Sequence, residues 1–154
     1  MTTGRAVPGA AADPERLTWW RAFDAAHART EVHLRRALLD QHDLALAWYR
    51  VLDVLAQQSA PQVLGAVAAA LGVPLSSLSR QVDRLEERAL VSTERGSHTN
   101  HRHVVVHVTA DGKALWKQAT TTVRQTLRRH VLTDIDPTEL VDDARRATRV
   151  APYA

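Results

Sequence analysis

The chain has 154 residues, 45% of them hydrophobic and 24% charged, enough apolar material for one domain with its own core. It contains no cysteine, which removes disulfides, thiolate metal sites, cysteine nucleophiles and thiol redox sensing together. Lysine and arginine exceed aspartate and glutamate by only 20 to 17, a formal charge of +3, so the placement of the charges matters more than their sum.

The longest apolar runs, such as Leu44 to Trp48 and Ala66 to Leu71, fall far short of the roughly 20 residues that span a bilayer. The first residues lack a continuous hydrophobic signal core, so a soluble cytoplasmic protein with no membrane partner is expected. Residues 1–13, rich in Ala, Thr, Gly and Pro without a period, read as a flexible arm. A single domain is expected over 14–154.

Asp13-Pro14-Glu15 opens a long helix reaching to about Asp40, with Asp as the cap and proline at the first helical position. A second helix is expected from Ala45 to Gln57, where Leu44, Trp48, Val51, Leu52 and Leu55 recur at helical spacing. Val63 to Ala70 reads as a short apolar helix, Leu71-Gly72-Val73-Pro74 as a turn, and Leu75 to Arg88 as a second amphipathic helix, which is helix-turn-helix spacing. Leu90 to Glu94 and His103 to Thr109 read as strands joined by the polar loop 95–102, a β-hairpin wing. Asp111-Gly112 is expected to end the hairpin, and a long helix follows with Leu115, Ala119, Val123, Leu127 and Val131 four residues apart. Asp136-Pro137-Thr138-Glu139 opens a short last helix. The fold class is therefore mainly α with a small β-hairpin wing.

The helix from residue 75 has the faces of a DNA reader. Leu78, Val82, Leu85 and Ala89 collect on one side, and Ser76, Ser77, Arg80, Gln81 and Arg84 opposite them. Serines at its N-terminal end, with Ser79 one turn on, suit phosphates, because backbone N–H groups and the helix dipole act there too. Arg80 and Arg84 reach guanine edges or phosphates, and Gln81 suits adenine. Asp83, Glu86 and Glu87 lie toward the flank or the C-terminal end and would discourage close approach of DNA. The wing adds Arg95, Ser97, His98, Asn100 and Arg102, donors with almost no apolar anchor, suited to an adjacent minor groove.

The run Leu71-Gly72-Val73-Pro74-Leu75-Ser76-Ser77-Leu78-Ser79-Arg80-Gln81-Val82-Asp83-Arg84-Leu85-Glu86-Glu87-Arg88-Ala89-Leu90-Val91, followed by the wing and by Val108-Thr109-Ala110-Asp111-Gly112-Lys113, resembles the MarR family of bacterial transcriptional regulators. The resemblance covers about residues 17–150. It implies a winged helix-turn-helix over 45–112, with helices in 14–43 and 113–154 forming a homodimer on a pseudo-palindromic operator in double-stranded DNA. It also implies a repressor released by a small-molecule ligand bound between the dimerisation and DNA-binding parts.

Two positions depart from that pattern. Ala89 stands where the family usually has glycine, so the helix is expected to close without an easily formed left-handed residue. The family's Asp-x-Arg in the wing is Asn100-His101-Arg102 here, which removes the charge that would brace Arg102.

Four of the eight histidines, His98, His101, His103 and His107, lie in or beside the wing. They carry an alternative reading as a zinc-sensing regulator of the same fold, although residues two apart on a strand supply at most neighbouring pairs and no metal site or cofactor is assigned. Near a polyanion they also offer a pH-dependent affinity. Trp19, Trp20, Trp48 and Tyr49 suit core or dimer packing. Within that group Trp20, Trp48 and Tyr49, together with His27 and Arg50, could line a pocket for a planar anionic ligand. No paired carboxylates, Ser-His-Asp arrangement or phosphate-cradling glycine loop points to an enzyme.

Overall fold

The computed structural model of the protein describes residues 13–95 and 104–130, and of residues 13–15 only the backbone. The arm 1–12, most of the wing loop, and the helix expected after Asp136 lie outside the described residues.

Helix α1, Asp13–His42, runs unbroken for 30 residues, about 45 Å at 1.5 Å per residue. Only its C-terminal half meets the core, through Leu34 and the fully buried Leu38. It ends where Asp43 turns left-handed at φ 49°, the Asp43 N–H bonding the Leu39 carbonyl at 3.0 Å and the Leu44 N–H the Leu38 carbonyl at 3.3 Å. Helix α2, Leu46–Ala56, buries Leu46, Tyr49, Val51, Leu52 and Leu55.

After Pro61 comes a strand that the sequence reading did not anticipate, β1, Gln62–Val63. Two residues carry no usable period, and this strand exists only because a distant partner completes it. Helix α3, Leu64–Leu71, ends at Gly72, whose φ of 64° gives the tight turn into α4, Leu75–Glu87. Strands β2, Val91–Arg95, and β3, Val104–Val108, form the wing's stem, and the sheet order is β1-β3-β2 with both pairings antiparallel. Thr93 and Gln62 flank Val106 from its two sides.

Two sequence expectations meet the structure here, and the second of them is corrected. Ala89 does adopt the left-handed conformation, φ 56°, and the helix closes with the Leu90 N–H on the Leu85 carbonyl at 3.0 Å and the Ala89 N–H on the Glu86 carbonyl at 2.8 Å. The hydrogen-bonded closure of α4 outweighs the cost of about 1–2 kcal/mol that a side chain pays in that region. Asp111 and Gly112 do not end the hairpin; they lie in the first turn of α5, Ala110–His130. Thr109 caps that helix, its hydroxyl oxygen accepting the Gly112 N–H at 3.0 Å while the hydroxyl donates to the Ala89 carbonyl at 2.8 Å.

Helix α5 lies antiparallel on α1 and crosses α2, buried through Gly112, Ala119, Thr122 and Thr126. Polar fasteners line the seam. The Trp116 indole N–H donates to Asp53 Oδ1 at 2.8 Å, and the Tyr49 hydroxyl lies 3.2 Å from that of Thr120. Thr122 donates to Gln41 Oε1 at 3.0 Å, which leaves its oxygen to accept from His42 Nε2–H at 2.8 Å. At the end of α5, His130 stacks on His33 of α1 with ring centroids 3.8 Å apart.

Candidate nucleic-acid interface

Leu78, Val82 and Leu85 fix α4 to α2 and α3, leaving the opposite side outward. Ser76, Arg80 and Arg84 are exposed there, and Ser77 and Gln81 are half-buried beside them. Arg80 has no ion-pair partner among the described residues. Arg84 is held by Glu87 at 2.9 Å, and that carboxylate raises the guanidinium's pKa further above its ordinary value. Ser79 is half-buried and falls by helical spacing on the flank of Asp83 and Glu86.

Two acids of α4, Asp83 and Glu86, have a role beyond the one expected of them. Glu86 Oε1 accepts both the backbone N–H and the hydroxyl of Thr93, each at 2.8 Å. Asp83 stands 3.8 Å from Arg95 at the end of β2. Residues three apart on the helix therefore meet residues two apart on the strand, and the acids brace the wing's stem against the reading helix. These contacts join residues 7 and 12 positions apart, so no local pattern announced them. Arg95 projects from the stem with its side chain 68% exposed. Ser97, His98, Asn100 and Arg102, together with the Asn-for-Asp departure, lie outside the described residues.

Of the wing histidines only His107 is described. Its Nε2 lies 3.1 Å from Glu94 Oε1, at an angle that makes no hydrogen bond, and is otherwise enclosed without a partner. Among the described residues no three His, Asp or Glu side chains converge as metal ligands.

The proposed ligand group does not form one pocket. Trp48, Tyr49 and Arg50 are consecutive on α2, and a helix turns each about 100° from the last. Trp48 lies under the Arg88 guanidinium, 5.6 Å from its ring centre, while Tyr49 points into the core toward Thr120. Burial pushes the Tyr49 phenol above its ordinary pKa of 10.0, which keeps it neutral. Arg50 pairs with Glu31, and His27 reaches the same carboxylate at 3.8 Å. Trp20 stays 54% exposed further up α1, where Trp19, Phe23 and His27 stack in a ladder. A shallow depression beside Arg50 is lined by Arg35, Leu39, Ala45, Leu46 and Ala47. Of the five residues it takes only Arg50.

The sequence of residues 42–102 matches the MarR family. None of the curated proteins matches the chain. Solved structures with the same fold include the regulator BldR from Sulfolobus solfataricus, at TM-score 0.76 and 22% identity over 88% of this chain and 96% of that one. Sco3205, a MarR family regulator from Streptomyces coelicolor solved in complex with DNA, superposes at TM-score 0.74 and 21% identity, over 97% of this chain and 91% of its own. CouR from Rhodococcus jostii RHA1, bound to p-coumaroyl-CoA, does so at 0.72 and 22%, over 86% and 92%. No helix among the described residues is long and apolar enough to cross a membrane.

Proposed function

We infer, for a chain whose winged helix-turn-helix belongs to the MarR family, a homodimeric transcriptional regulator that reads double-stranded DNA with α4 and its wing. The observation carrying this reading is the outward face of α4, where Arg80 stands exposed and unpaired among the described residues beside Ser76 and Ser77. In this reading α4 enters the major groove, Arg80, Gln81 and Arg84 meet base edges or phosphates, and the helix N-terminus with its serines holds the backbone. Arg95 starts the wing toward the neighbouring minor groove, followed by Ser97, His98, Asn100 and Arg102.

Homodimerisation is supported by the apolar surface that α1 leaves uncovered: Trp19 is 60%, Val32 63% and Leu39 56% exposed, beside Trp20 and Phe23. The dimerisation segments would be 14–43 and 113–154, and two reading helices related by a two-fold axis would require a pseudo-palindromic operator. Repression relieved by a small ligand completes the reading. Among the solved relatives, CouR supports it as a protein that binds an acyl-CoA.

The test starts by selecting bound duplexes from random DNA with the full chain. A recovered palindrome, with affinity that falls steeply with salt and falls further in Arg80→Ala at unchanged melting temperature, supports the reading. Random recovered sequences, or equal binding by Arg80→Ala, would sink it.

A further inference from the structure

Arg88 closes α4 at its C-terminal end, one turn beyond Arg84 on the same side of the helix, but its guanidinium is turned back to the corner between α1 and α2. Its Nη1 donates to the Asp43 carbonyl at 2.7 Å, and its Nη2 lies 3.7 Å from the Asp43 carboxylate. The guanidinium also covers the Trp48 ring at 5.6 Å. One side chain thus meets backbone, carboxylate and aromatic face, all at the corner where α1 turns into α2. Its side chain is 34% exposed and that of Asp43 88%, so the arginine is the more covered of the two.

The two ends of this contact are the two strained corners of the described chain. Asp43 and Ala89 are the non-glycine residues with positive φ among the described residues, and Arg88 adjoins Ala89 and bonds Asp43. At Asp43 the backbone passes from α1 to α2; at Ala89 it passes from α4 to the wing. A carbonyl freed by a left-handed helix end needs a donor, and a planar guanidinium supplies one in a fixed direction.

We propose that Arg88 is a positioning residue for DNA reading: by gripping the Asp43 carbonyl and the Trp48 ring, it fixes the attitude of α4 against the α1–α2 corner and so sets the half-site spacing the dimer accepts. The proposal rests on the DNA-binding, dimeric reading above. A shift of α1 is carried to α4 through this grip, in addition to the apolar packing of α4 on α2. The Asp43 carbonyl and the Trp48 ring occupy the Arg88 guanidinium, whereas Arg80 has no such partner among the described residues.

The experiment measures binding of a fluorescent duplex, recovered by selection with the wild-type chain, and of two relatives with one base pair added or removed between the half-sites. Wild type discriminates among the three. Arg88→Gln is expected to bind the selected duplex about tenfold more weakly, to lose most of the spacing preference, and to keep the wild-type slope of log affinity against log salt. Trp48→Phe changes spacing preference in the same direction by less, and Asp43→Asn, which keeps the carbonyl, behaves as wild type. A slope lower by about one phosphate contact in Arg88→Gln makes Arg88 a DNA contact and overturns the proposal. Unchanged affinity and spacing preference in both Arg88→Gln and Trp48→Phe overturn it as well. If wild type selects no duplex, the DNA-binding reading itself has failed, a result distinct from a wild type that binds and an Arg88 variant that binds alike.

Discussion

Gly112 lies so close to Leu90 that a β-carbon on it would stand 2.0 Å from the Leu90 carbonyl oxygen and 3.0 Å from Val108 Cγ2. The first turn of α5 is thereby seated directly on the root of the wing, where the Thr109 N–H also meets the Leu90 carbonyl at 3.1 Å. Gly112→Ala is expected to push α5 off that root at a cost of about 2 kcal/mol, within the range for overpacking a closed site. A urea midpoint equal to wild type would show that the contact yields freely.

Ala89 offers the opposite change. Replacing it with glycine removes the left-handed penalty while adding chain entropy to the unfolded state, and the difference favours Ala89→Gly by about 0.5–1 kcal/mol. The chain should then unfold at higher urea with an unchanged m-value; a midpoint that stays put or falls contradicts the geometry at that corner.

Glu86 and Thr93 form the brace between reading helix and wing. Glu86→Ala leaves the Thr93 N–H without its carboxylate and is expected to cost about 1–3 kcal/mol. The coupling in a double-mutant cycle with Thr93→Val should be positive and smaller than the single loss, since the backbone bond survives the threonine change. Additive effects would mean that the two side chains do not act together.

The two arginines of the reading face should not be equal. Arg84 is already held by Glu87, whereas Arg80 has no such partner among the described residues. Arg80→Ala is expected to weaken DNA binding about tenfold or more, roughly the 1–3 kcal/mol of one good base contact. Glu87→Gln is expected to tighten binding severalfold at low salt, by freeing Arg84 and removing a like charge from the DNA side. Weaker binding by Glu87→Gln would place Arg84's ion pair in the service of DNA reading.

Glu31 predicts an acid-side signature. Arg50 hydrogen-bonds its carboxyl, and that bond, helped by the charges of Arg50, Arg35 and His27, holds it below the ordinary 4.5 despite some desolvation. A group depressed on folding stabilises above its unfolded pKa and loses that contribution as pH falls through the folded one. Wild type should therefore lose more stability than Glu31→Gln on acidification below about pH 4.5, by about 0.5 kcal/mol for a pair whose arginine is 44% exposed. Parallel acid profiles would show the pair contributes nothing.

Elements with a strong period were legible in the sequence. The apolar stripe of Leu78, Val82 and Leu85, the glycine turn at Gly72 and the valine-rich strand before Thr109 appear within about two residues of where they were expected. What escaped depends on distance in the chain. β1 is defined by β3 some forty residues later, Glu86 by Thr93 across a turn, and Arg88 by Asp43, 45 positions earlier. The grouping of Trp48, Tyr49 and Arg50 in one pocket failed for a reason already available in helical geometry, since neighbours on a helix face different ways. Ala89 shows the converse: its backbone shape was set by the closure around it, not by its residue type.

The sheet order β1-β3-β2 leaves β2 at the margin, with β3 shielded between its neighbours. An open margin is where strands of other molecules add on. Midway along β2 the outward Thr93 N–H is already taken by Glu86, so an incoming strand would have to displace a charged group to continue the ladder. The same carboxylate that steadies the wing also stands against strand addition at this edge, and loss of Glu86 should surface as aggregation before it surfaces as unfolding.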